Sequence, residues 1–132
     1  MRDYPLGARR PDLVRTPSGR PLAELTLDAL RAGSLDSDDM RATPLTIRRQ
    51  AEVARAAGRA PLADNLERAA ELALVDAATI LDVYTALRPH RSSAAELDAW
   101  VVRLEGELAS PLTAAFVREA ATAYARRGLL RQ

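Results

Sequence analysis

His90 is the only histidine of the chain, and it is the side-chain type whose ordinary pKa lies closest to neutral pH. It sits in YTALRPHRSS, Tyr84 to Ser93, between Arg88 and Arg91 and directly after Pro89. Three kinds of chemistry suit such a stretch: proton transfer by the imidazole, capture of a phosphate by the two guanidinium groups and the Ser92 and Ser93 amides at a helix start, or none at all in a helix-to-helix elbow. The loop contains no carboxylate, and no Ser or Cys nucleophile stands in triad arrangement with the imidazole. The elbow is therefore the preferred reading.

The remaining constellations resolve in the same direction. Asp36, Asp38 and Asp39 in LDSDDM cluster as a cation loop might, but the Gly and closing Glu that a calcium loop requires do not follow, which leaves capping and helix-dipole roles. Glu67 and Glu71 share a helical face, yet Arg68 lies between them and no Glu-x-x-His partner motif exists. Arg118 and Glu119 follow Phe116 by two and three residues. Glu119 is expected at the edge of a buried stripe, where it would need an Arg partner from another helix or another subunit. Walker A, G-x-G-x-x-G, H-E-x-x-H and G-x-S-x-G patterns are all absent. With no Cys and no Lys, thiolate nucleophiles, disulfides, Cys-based zinc sites and lysine Schiff bases are excluded as well. No residue is assigned a catalytic, cofactor-binding or metal-binding role.

The elements around these residues are helices with explicit boundaries. Thr26 starts TLDALRAG, with Gly33 as its left-handed terminator, and Thr43-Pro44 supplies an N-cap and first-turn proline for a helix ending at Gly58. Pro61 opens PLADNLERAAEL, whose predicted face is Leu62, Leu66, Ala69, Ala70 and Ala73. Asp76 caps the next helix, with Ile80, Leu81, Tyr84 and Leu87 as its stripe until Pro89 ends it. Ser93 and Glu96 form an S-x-x-E capping box ahead of Leu97, Trp100, Val101, Leu104 and Leu108. Ser110-Pro111 is read as a second cap-then-proline start, with Leu112, Phe116, Ala120 and Tyr124 facing inward and Gly128 closing the helix. Trp100 and Tyr84 are read as core or interface anchors. The fold class is all-α: about five helices in a small bundle over residues 22–132, behind an extended N-terminal arm at residues 1–21 that carries four of the eight prolines. Tyr4, Leu6, Leu13 and Val14 make that arm apolar enough to lie on another surface.

Composition bounds the partners. The 19 basic residues, all Arg, are interspersed with 18 acidic ones for a net charge of +1, so no basic face for nucleic acid is expected. No apolar run nears the ~18 residues of a membrane span, and MRDYPL lacks a secretory signal's apolar segment, which predicts a soluble, cytoplasmic chain. Alanine accounts for 27 residues against one Trp, one Phe and three Tyr, so the helices form readily but bury little area each.

Seven strings in order resemble the small (gamma) subunit of adenosylcobalamin-dependent diol and glycerol dehydratases: DYPL from Asp3, TPSGRPL from Thr16, DMR from Asp39, AGR from Ala57, NLERAAEL from Asn65, the run from Ile80-Leu81 through YTALRPHRSS, and AAFVREAATAY from Ala114. The resemblance implies a lyase complex. Its large (alpha) subunit holds substrate and a metal ion, its medium (beta) subunit completes the cobalamin site, and 1,2-diols or glycerol become aldehydes. Two copies of each subunit, a heterohexamer, are implied. The small subunit packs on the large one and supplies no catalytic or cobalamin-ligating residue. The expected interface residues are Tyr4, Pro5, Leu6, Arg88, Arg91, Arg118 and Glu119, with Arg88 and Arg91 either capping helix carbonyls or binding carboxylates of the large subunit. Where the family usually shows Tyr or Phe this chain has His90, and where it usually has Phe there is Leu66. The chain starts almost at DYPL, without the extension some members carry, and nothing in its sequence supports association with a microcompartment. Apart from the resemblance, the residues leave open a free-standing helical interaction or regulatory module.

Overall fold

The computed structural model describes residues 3–132, and among them there is no strand, only an isolated antiparallel bridge between Arg15 and Pro21. Seven α-helices follow one another: α1 (Leu6–Arg9), α2 (Leu27–Arg31), α3 (Pro44–Ala56), α4 (Ala60–Leu72), α5 (Ala77–Ala86), α6 (Ala94–Glu105) and α7 (Pro111–Arg127). The five from α3 onward are the substantial ones, as the sequence predicts. They fall into two compact units, one up to Ala73 and one from Leu74 to Gln132.

In the first unit the arm is coiled more than its sequence suggests. Pro5 precedes α1, and Pro11 opens a single 3-10 turn, Pro11–Leu13. Proline's fixed φ suits the first turn of a helix, so a Pro-rich stretch without apolar periodicity still winds into isolated turns. Leu6, Leu13 and Val14 are half-buried, and an Arg49 guanidinium N–H on α3 donates to the Leu13 carbonyl. The arm thus lies on its own unit. Beneath it α3 packs on α4 through Ala51, Ala54 and Ala63, with Leu66 against them. Methyl groups at the seam let two helices approach closely. Leu62 and Ala69 are exposed, so the buried edge of α4 runs through Ala63, Leu66 and Ala70, one position round from part of the predicted face.

The second unit is α5, α6 and α7 around Val83, Leu97, Val101, Leu104, Ala114 and Val117. Its local boundaries follow hydrogen-bond chemistry. Asp76 accepts from the Thr79 amide, and Ser93 and Glu96 close a reciprocal capping box. Gly128 ends α7 at φ 66°, a left-handed conformation that costs glycine nothing. Ser110 departs from expectation: it is fully buried, its hydroxyl donates to the Leu108 carbonyl, and it makes no side-chain cap.

The caps carry a pH dependence. Thr79, through its hydroxyl and then its amide, holds the Asp76 carboxyl below its ordinary range, and the Ser93 amide, then Arg131, does so for Glu96. A carboxylate whose folded pKa lies below its unfolded one adds stability above the unfolded value, and that stability is lost as pH falls through the folded value. The near-ultraviolet melt of the only Trp, Trp100 in α6, should therefore be level from pH 7 down to about pH 5 and fall in temperature below about pH 4. A melt that stays level to pH 3 would refute the assignment.

Candidate subunit interface

The α5–α6 elbow is a tight turn. Arg91 N–H donates to the Arg88 carbonyl at 3.2 Å around Pro89 and His90, with His90 at φ 62°. Proline at the second turn position and a positive φ at the third are the form of a type II turn, where His is tolerated better than most non-glycine residues. The His90 amide donates to the Leu129 carbonyl at 2.7 Å, Arg131 N–H donates to the Ser92 carbonyl, and the Arg131 guanidinium reaches Glu96 at 2.5 Å. The chain's C-terminal residues thereby strap the elbow. The Tyr124 hydroxyl adds a 2.5 Å bond to the Leu87 carbonyl. That last bond satisfies a carbonyl at the C-terminal end of α5, and Arg88, Pro89, His90 and Arg91 are exposed. His90, where the family usually shows Tyr or Phe, is a solvent-facing turn residue in this chain.

The interhelical ion pair expected of Glu119 is made by Arg118. Arg118 pairs with Glu105 of α6 at 2.6 Å, while Glu119 is exposed rather than partly buried. Both line a shallow groove along α7 with Ala115, Thr122, Ala123 and Arg126. The reason is a rotation of the helix: α7 buries Thr113, Ala114 and Val117, and leaves Leu112 and Phe116 nearly half-exposed. A similar rotation moves α5, which buries Val83 and turns Leu81 and Tyr84 outward, so Tyr84 is a surface side chain and not a core anchor. Trp100 does anchor the core, half-buried against it with the Arg103 guanidinium 5.2 Å from its ring centre.

In the first unit, Tyr4, Pro5 and Leu6 form one lip of an apolar groove of about 580 Å³, whose floor includes Val53, Ala54 and Leu66. Arg59 of the AGR string is at its edge. Tyr4 is 62% exposed and the Tyr4–Pro5 peptide is cis. Across both units, twelve large apolar side chains are exposed among the described residues, including Leu74 at 83% and Val102 at 71%. Only Leu97, Leu104 and Val117 are large apolar side chains with no exposure to speak of. Scattered exposed leucines are ordinary for a folded chain. Sequence reasoning passed over Leu74 and Val102, since neither lies on a predicted stripe.

No group of three or more His, Cys, Asp or Glu able to hold a metal occurs among the described residues, and no helix is long and apolar enough to cross a membrane. What the described residues form is a small helical chain with twelve large apolar side chains facing outward. Residues 1–131 match the dehydratase small subunit family, and the chain belongs to it. It is 46% identical over 129 residues to the propanediol dehydratase small subunit of Citrobacter freundii and 45% identical to that of Salmonella typhimurium, covering 98% of this chain and 75% of each relative.

Proposed function

We propose that this chain is the small, non-catalytic subunit of an adenosylcobalamin-dependent dehydratase that converts 1,2-diols or glycerol into aldehydes, and that it stabilises the large catalytic subunit. The observation that carries the reading is the alignment of nearly the whole chain with two propanediol dehydratase small subunits. The outward-facing apolar side chains support it, because a subunit has a partner to bury them against. Its partners on this reading are the large and medium subunits, two copies of each, in the cytoplasm. Tyr4, Pro5, Leu6, Arg88, Arg91, Arg118 and Glu119 remain the proposed contact residues, and the exposed Leu81 and Tyr84 of α5 are proposed with them.

Adenosylcobalamin supplies hydrogen abstraction through its adenosyl radical when bound to the complex. Among the described residues this chain's own donor set does not fit a metal ligand: no three His, Cys, Asp or Glu are grouped to hold one, and the one histidine is on an exposed, strapped turn. No chemical step is assigned to it. Co-expression with the large and medium subunits should yield a complex that contains this chain and forms aldehyde from 1,2-propanediol or glycerol with added adenosylcobalamin. Leaving this chain out should lower both the yield of complex and the rate. Undiminished activity without it would refute the subunit reading and favour a free-standing helical module.

A further inference from the structure

Two of the strings that mark the sequence meet in the first unit. The turn in TPSGRPL is tied to Asp39 of DMR, 21 residues away from Ser18, whose hydroxyl donates to one Asp39 carboxylate oxygen. The other oxygen accepts from the Asp36 amide at 3.3 Å. An ionised carboxylate only accepts, so the single Ser18 proton goes to Asp39; Thr16 lies 2.8 Å from Ser18, and the Thr16 oxygen accepts from the Arg20 amide at 3.1 Å. Arg20, Thr16, Ser18 and Asp39 thus form one connected hydrogen-bond network that ends on a charge. Thr16 and Asp39 are among the few buried polar side chains, at 4% and 8% exposure. Asp39 lies below the ordinary carboxylate range, with the Ser18 hydroxyl as the main cause, opposed by burial and helped by the Asp36 amide, Thr16 and the Arg20 charge.

The consequence concerns the arm. Thr16 N–H also donates to the Arg20 carbonyl and Gly19 N–H to the Thr16 carbonyl, so the turn is closed on itself; Ser18 ties it to Asp39, and a long Arg20–Glu24 ion pair at 4.0 Å is a weaker, exposed link out of the arm. Upstream of it are α1, the 3-10 turn and the exposed Tyr4. We propose that Asp39 is a latch that presets the arm before assembly, so that docking onto the larger subunits does not have to order the arm as well. This rests on the reading of the chain as a dehydratase subunit. A preset segment binds more tightly because its ordering cost is met during folding.

Amide exchange in the full-length chain tests the latch, and titration against the purified large and medium subunits tests its purpose. Asp39→Asn removes the charge and leaves a single acceptor oxygen, and Ser18→Ala removes the Ser18 bond while leaving Asp39 ionised. In both variants the Thr16, Gly19 and Arg20 amides should exchange about tenfold to a hundredfold faster, with α3 and α4 protection unchanged. The concentration for half-maximal assembly should rise by a similar factor. Unchanged exchange in Ser18→Ala would overturn the latch even if Asp39→Asn fails to fold. Faster exchange with unchanged assembly would overturn the preset role. A wild-type chain that does not assemble at all would instead overturn the subunit reading, with the latch itself still decided by exchange.

Discussion

Replacing Leu104 with alanine is expected to unfold the second unit. Leu104 is fully buried on α6 at the centre of a cluster whose other large members are Val83, Leu97, Val101 and Val117. Truncating a buried leucine costs about 2 to 5 kcal/mol, combining lost transfer free energy with the cavity left behind. A core of this size, in a unit of 59 residues, supplies little more than about 3 to 5 kcal/mol in total. The loss therefore matches the whole margin. Trp100 packs against the same cluster, which makes its near-ultraviolet circular dichroism a local reporter. The expected result is loss of that signal at 25 °C, or a melt lowered by 10 °C or more at about 4 to 8 °C per kcal/mol. A Leu104→Ala chain whose Trp100 signal melts within a few degrees of wild type would show that the core can close around the gap. If the proposed function holds, the larger subunits should restore the signal in part, because a partner that binds only the folded form stabilises it by mass action.

Ala63→Leu is expected to be nearly as damaging by the opposite mechanism. At the α3–α4 seam Ala51 and Ala63 have no exposed surface, and the apolar cluster there contains no large buried side chain that could give way. Three added carbon atoms must push α3 and α4 apart or move Leu66. Overpacking of this kind costs about 1 to 3 kcal/mol, and more where the neighbour is backbone and not a flexible side chain. The Arg55 bridge to Asp64 and Glu67, at 3.0 and 2.8 Å, joins the same two helices at the surface but is too exposed to compensate. Exchange at the α3 and α4 amides should rise together, since the seam links them, and Ala63→Gly should be milder than Ala63→Leu. Equal exchange in wild type and Ala63→Leu would mean that the helices do not pack as closely as described.

Local chemistry made the helix boundaries legible. Thr26, Thr43, Asp76 and Ser93 each accept the backbone bond expected of an N-cap, and Gly33, Gly58 and Gly128 each adopt the positive φ expected of a terminator. These signals act within four residues, so they survive without knowledge of the rest of the fold. The resemblance carried by seven short strings likewise led to the family that the comparison shows. Ser110 failed as a cap because burial decided its partner, and no nearby residue announces burial.

What the tertiary structure alone decided was which face of each helix turns inward. On α5 and α7 apolar residues occupy two faces, and alanines blur the boundary between them. Periodicity states which residues share a face but not which face meets the core. So Val83 and Val117 are inside while Leu81, Tyr84 and Phe116 are outside. The same limit hid the contacts that join distant segments: Ser18 with Asp39, Arg118 with Glu105, and Tyr124 with the Leu87 carbonyl. Each is a pairing between residues 13 to 37 positions apart, created only when helices and turns pack, and a sequence records such a pair as two unrelated residues.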